Sequence, residues 1–165
     1  MSPFWKFADF VRSLRREMRF GQFSRAPLRL LRLELLEKTL VCDWMARPPD
    51  LWDASLKQPV RDRNESQQAL ADAISIRDLI FDALPQLDLA VLRAFRQSAR
   101  EPPELIIAGS ICRDDPGIHQ QASLVMQAKL SGFRFSLQDG RLESMSFEDF
   151  EMSFGQGATP EYAVK

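Results

Sequence analysis

An α+β domain is what this sequence predicts, and three observations carry the prediction. Residues 31–35 alternate as Leu-Arg-Leu-Glu-Leu, the period of two expected of a strand. Ala69, Ala73, Ile76, Ile80 and Ala83 recur at helical spacing between Asp62 and Leu84. Leu105-Ile106-Ile107-Ala108 is apolar on both faces, which places it in the middle of a sheet. At 165 residues and 45% hydrophobic content the chain can bury one sizeable core, and it is too short for two comfortable ones.

The first element is a basic, aromatic arm over residues 1–25. It carries six Lys and Arg (Lys6, Arg12, Arg15, Arg16, Arg19, Arg25) against Asp9 and Glu17, a net of +4, which leaves 16 against 21 in the rest of the chain. Ser2 offers an N-cap, Pro3 fits the first helical position, and Gly21 supplies a left-handed stop, so a helix is expected between them. At 100° per residue Phe4, Phe7, Val11, Leu14 and Met18 form one narrow stripe, while Arg12, Arg15, Arg16 and Arg19 gather on a flank beside Trp5. Such a helix can lay its stripe on its own domain, in a partner's groove, or on anionic lipid with its arginines on phosphates. Charges interrupt it too often for a membrane span, and it has neither the apolar run nor the cleavage site of a secretory signal.

The body, residues 28–145, begins with two strands, 31–35 and Leu-Val-Cys-Asp-Trp-Met at 40–45, joined near Glu37 and Lys38. Residues 47–59, with three prolines and two Asp around Trp52, read as a loop pinned by that aromatic. The long helix runs from about Asp62 to Leu84 and ends at Pro85. Residues 90–97 are compatible with a helix capped by Asp88 or with a strand; the breaker Glu101-Pro102-Pro103 before Leu105–Cys112 favours a pair of strands. Asp115 and Pro116 are an N-cap and first-position pair for a helix from Gly117 to Ser131, with Gly132 as its stop. Phe133–Leu137 alternates, and Asp139-Gly140 turns the chain into a partner around Arg141–Met145.

Without the arm and the first strand, this order is strand, helix, strand, strand, helix, strand. It resembles the split βαβ order of ferredoxin-like domains, an antiparallel sheet with two helices on one face. The full expectation is therefore a ferredoxin-like α+β body with an N-terminal amphipathic helix and an extra N-terminal strand. Ile76, Ile80, Ile107, Cys112, Val125 and Phe135 are its expected core, and Cys42 and Cys112 are expected to be reduced, buried thiols of an intracellular protein.

Residues 146–165 form an acidic, aromatic end. Ser146-Phe147-Glu148-Asp149 matches a capping box, and Phe147, Phe150 and Phe154 follow at helical spacing. Either the segment covers an open edge of the sheet or it is a docking peptide for a basic partner.

Motifs of catalysis are weak. Asp114, Asp115 and His119 could bring two carboxylates and an imidazole together, but a capped helix start with a solvated histidine explains them more simply. Cys42 and Cys112 lack CxxC spacing, Ser110 lacks the G-x-S-x-G turn, and Gly155-Gln156-Gly157 opens no phosphate loop. Asp72, Asp78 and Asp82 are expected on a solvated helix face or as a landing strip for the arm's arginines. The apolar central strand offers no stacking aromatics and the body is acidic, so nucleic acid is a poor partner. The expectation is a cytoplasmic, non-enzymatic interaction module, an accessory or adaptor subunit peripheral to a larger assembly, with no cofactor and no metal. Its partner-binding residues are expected to be Phe4, Trp5, Phe7, Arg12, Arg15, Arg16, Arg19, Phe147 and Phe150. A protein partner is favoured, with an anionic membrane or a second copy of the chain behind it. The alternative is a small-ligand-binding or regulatory ferredoxin-like domain.

Overall fold

In a computed structural model the described residues are 3–18, 26, 28–48, 51–98, 102–113 and 123–146. Helix α1 spans Pro3–Glu17 and leads to the hairpin β1 (Arg29–Leu36) and β2 (Thr39–Met45). The hairpin turns at Glu37, whose φ of 54° is left-handed. A short 3-10 helix, Leu51–Ser55, precedes α2 (Gln58–Ala83), which starts four residues earlier than its periodicity predicts because Pro59 sits in its first turn. Then come β3 (Leu89–Arg96), β4 (Glu104–Cys112), α3 (Leu124–Ser131) and three two-residue strands, β5 (Phe133–Arg134), β6 (Leu137–Gln138) and β7 (Arg141–Leu142). Asp139 and Gly140, both at positive φ, make the tight turn between β6 and β7.

The fold is α+β: three helices, a five-stranded mixed sheet and a small β6–β7 sheet. The large sheet runs in simple chain order, β1 to β5, with β2 and β3 parallel and every other neighbour antiparallel. This corrects the expected topology. A split βαβ unit needs another strand between the two that its helix connects, whereas here β2 and β3 pair directly and the sheet is not purely antiparallel. Element order alone had suggested the resemblance, and strand order does not confirm it.

All three helices share one face of the sheet. Alternation puts Leu40, Cys42 and Trp44 of β2, Ala90, Leu92 and Ala94 of β3, and Ile107 and Ile111 of β4 on that face, where they pack with Ala73, Ile76 and Ile80 of α2. Helix α2 packs against both α1 and α3, so it is buried over more than one stripe. Helix α3 is capped by Ser123, whose hydroxyl accepts from the Met126 N–H (3.4 Å), and ends at Gly132 (φ 105°). Its cap is thus Ser123 rather than Asp115.

The expected core is partly right. Ile76, Ile80 and Ile107 are buried, and Val125 and Phe135 are half-buried against the same cluster. Cys112 is exposed: it ends β4 on the opposite face from Cys42, so the thiols cannot meet. Burial, reinforced by adjacent Asp43, pushes the Cys42 thiol far above the usual range and keeps it inert. No helix among the described residues is long and apolar enough to cross a membrane.

Two arginines organise the helical layer. Arg47, buried just after β2, donates through Nε to Asp72 (2.8 Å), through Nη1 to the carbonyl of Ala26 (2.6 Å) and through Nη2 to the carbonyl of Met18 (2.5 Å). One guanidinium therefore ties the end of α1, the link to β1 and the middle of α2 together. Asp72 is accordingly a buried partner and not part of a solvated face; burial raises its pKa, and the Arg47 bond opposes that rise. Arg113 donates to the carbonyls of Phe81 (3.0 Å), Leu84 (2.8 Å) and Leu87 (2.8 Å), which closes the C-terminus of α2, and its guanidinium lies 4.9 Å over the Phe81 ring.

Candidate functional site

Parallel pairing of β2 and β3 leaves their carboxyl ends side by side, and the chain departs from both toward different partners. Such a divergence opens a crevice outside the strand ends. Here it is a cleft of about 580 Å³ lined by Arg47, Asp62, Glu65, Arg96, Glu104 and Arg141 together with apolar Ala46, Ala69, Ile106 and Leu142. Its walls come from the ends of β2 and β3, the start of β4, the N-terminal half of α2, and β7 of the β6–β7 hairpin. The hairpin is anchored there because the Leu142 N–H donates to the buried Ser66 hydroxyl (3.2 Å).

Much of the charge in the cleft is already matched. Arg47 is committed to Asp72, and Arg96 donates through Nε and Nη2 to one oxygen of Glu104 (3.0 and 2.8 Å) and through Nη1 to the Leu142 carbonyl (2.7 Å). Asp62 accepts from the Gln58 amide (2.7 Å). Glu65, one turn further along α2, is held above the usual carboxylate range by burial first and by the like charge of Asp62 second, with Arg96, Arg141 and Arg61 opposing the rise. The cleft thus offers a carboxyl pair on α2 and the guanidinium of Arg141 on β7, a pattern suited to groups of both signs.

The 3-10 helix lies in the chain between lining residues Pro48 and Gln58. Its Leu51 and Trp52 are 90% and 78% exposed, and Leu56 and Val60 beside them are also exposed. Trp52, expected to pin this loop, is among these exposed residues. Several large apolar side chains exposed so close together in the chain are unusual on an isolated surface.

The structure divides the residues nominated from sequence. Phe7 and Val11 are half-buried against the main core, and Phe10, Leu14 and Met18 are buried in it. The stripe of the arm therefore packs on the chain's own body. Arg12, Arg15 and Arg16 face outward, Arg12 pairing only within its helix, with Asp9 (3.1 Å) and the Ala8 carbonyl, and Arg16 lying 4.0 Å from Glu17. Phe4 and Trp5 belong to α1, with side chains outside the described part; Arg19, Phe147 and Phe150 lie outside the described residues, as do Asp114, Asp115 and His119. Among the described nominated residues, Phe7, Arg12, Arg15 and Arg16, none lines the cleft. Sequence reasoning missed it because its walls come from positions up to 96 apart in the chain, Ala46 and Leu142 among them.

Among the described residues no three His, Cys, Asp or Glu side chains gather to hold a metal ion. Comparison with family models, curated proteins and solved structures finds no match to this chain.

Proposed function

We propose that the protein is a non-enzymatic interaction module, an accessory or adaptor subunit of a larger assembly, and that it grips its partner at the cleft. The observation that carries this reading is the exposed pair Leu51 and Trp52 in a segment whose flanking residues, Pro48 and Gln58, line a charged cavity. Aromatic anchors beside polar groups are what recognition of a peptide segment requires, because the aromatic supplies buried area while charges fix register. The outward basic face of α1, with Arg12, Arg15 and Arg16, is a second docking surface for an acidic protein partner or an anionic membrane.

The test is association of the full chain with its native complex. Leu51→Ser with Trp52→Ala should abolish it while thermal unfolding stays unchanged, and Arg12→Glu, Arg15→Glu and Arg16→Glu together should weaken it with a marked dependence on salt. Undiminished association of both variants would sink the reading. Glu65 favours a second one, a small polar ligand held in the cleft, since a half-buried carboxyl with a raised pKa can donate as well as accept a hydrogen bond. Stabilisation of the chain by amino acids or short peptides that survives in the Leu51→Ser, Trp52→Ala variant, but not in Glu65→Gln, would select the ligand reading.

A further inference from the structure

Helix packing covers one side of the sheet, but it does nothing for the sheet's long edge. Among the described strands β1 is the outermost on that edge, so alternate N–H and C=O groups along it point away from β2. A bulge between Leu30 and Arg32 interrupts the strand, and residues 32–36 beyond it pair regularly with β2 as far as the hairpin turn. Edge strands are ordinarily guarded by charges, and this regular run carries two, Arg32 and Glu34, which pair with one another along the strand. They differ in sign, however, and the residue between them is Leu33. Leu33 and Leu35 pack against the main core, while Arg32 and Glu34 alternate to the other side of the strand. Leu31 and Leu36, at the two ends of the run, are 43% and 45% exposed.

We propose that β1 is a dimerisation edge whose occupant is β1 of a second copy of this chain, antiparallel to the first about a twofold axis through Leu33. Such an axis stands perpendicular to the sheet and sets each residue opposite the one equally far from the axis in the other copy. Charge selects among the possible axes. Placed at Arg32 the axis sets Arg32 against Arg32, and placed at Glu34 it sets Glu34 against Glu34. Axes through Leu35 or Leu36 run the overlap into the Glu37-Lys38 turn, and an axis through Leu31 falls on the bulge. The axis through Leu33 sets Arg32 of each copy opposite Glu34 of the other, and the symmetry repeats the pair. Leu31 and Leu36 lie at the two ends of this overlap and lose exposure in it. Like charges face one another in the wrong registers, so the two residues that guard the edge against a generic strand also select a copy of themselves. The inference rests on no part of the cleft. Two copies so joined carry their clefts at opposite ends of the shared sheet, because the strands of one run against those of the other.

Sedimentation of the full chain over about a hundredfold range of concentration, with amide hydrogen exchange on the same samples, tests the proposal. The expected result is a monomer–dimer equilibrium in which the amides of residues 32–36 turned away from β2 gain protection as the dimer fills. Glu34→Arg, and separately Arg32→Glu, should each weaken association about tenfold or more, because the twofold counts every like-charge contact twice. Arg32→Glu combined with Glu34→Arg sets opposite charges face to face again and should restore association. Thermal unfolding separates a lost interface from a lost fold in these variants, and if they fail to fold the exchange pattern of the native chain decides alone. A chain that stays monomeric throughout the range, amides on β1 that are equally protected at every concentration, protection gained only at another surface, or a folded double variant that does not associate overturns the proposal.

Discussion

On the helix side of the sheet, β2 presents Leu40, Cys42 and Trp44 to the main apolar cluster; on the other side the same strand presents Val41, Asp43 and Met45, with a charge at its centre. Asp43 stands opposite Arg93 of β3, which donates to both carboxylate oxygens (2.8 and 2.5 Å) while its guanidinium lies 5.6 Å from the Phe95 ring. The helix side keeps its own ion pair, Arg47 with Asp72, above the sheet, where it ties helices and link together. A buried ion pair adds little net stability, since desolvation offsets its attraction, but it penalises any arrangement that separates its members. The two pairs therefore fix different things. Arg93–Asp43 holds two parallel strands in register, and Arg47–Asp72 holds separate elements in place.

Breaking the pairs should produce the largest effects. Arg47→Ala leaves Asp72 buried without its cation and releases the carbonyls of Met18 and Ala26, so a loss of about 3 to 5 kcal/mol is expected in chemical unfolding. Asp43→Ala strands the Arg93 guanidinium and should cost a similar amount, whereas Asp43→Val combined with Arg93→Leu should recover most of it because apolar pairs replace buried ions at little cost. A near-neutral Asp43→Ala would mean that water reaches this face, and the contrast between the faces would fail. Next in size come the apolar contacts of the helix side: Ile107→Ala in β4 and Leu14→Ala in α1 should each cost about 2 to 5 kcal/mol. Leu14 is the sharper test, because a negligible loss would show α1 to be an appendage instead of part of the core.

These expectations also show what the sequence makes legible. The helical repeat of α2, the Glu37-Lys38 and Asp139-Gly140 turns and the apolar run of β4 are local signals, and each element stands where those signals place it. Strand order is not local. The same succession of elements fits a split sheet or a sequential one, and the Asp43–Arg93 register that accompanies parallel pairing joins residues 50 apart. Asp72 at helical spacing reads like any solvated acid until Arg47 is seen to reach it. The stripe of α1 was legible as a stripe, and the surface that receives it was not. Phe10 went unread because it lies just off the ideal line of the stripe, yet it is buried in the main core. The cleft had no local signature, because its lining comes from segments far apart in the chain.

The smallest effect probes the edge at which the two faces meet, where Glu65 lines the cleft. Its carboxyl is pushed up by burial and by Asp62, so it holds a proton in the folded chain at a pH where the unfolded chain has lost it. Stability from this group is then fully present below the ordinary glutamate range and is lost as pH rises from that range through the raised value. Glu65→Gln removes the titration without changing the shape of the side chain. The variant should match the wild type in acid and exceed it at neutral pH, by less than about 1 kcal/mol because the half-exposed carboxyl is screened by solvent. Unfolding midpoints measured from pH 4 to pH 8 give the two curves. Parallel curves would mean that the arginines around Glu65 outweigh Asp62 and burial, leaving the cleft with an ordinary carboxylate that only accepts hydrogen bonds.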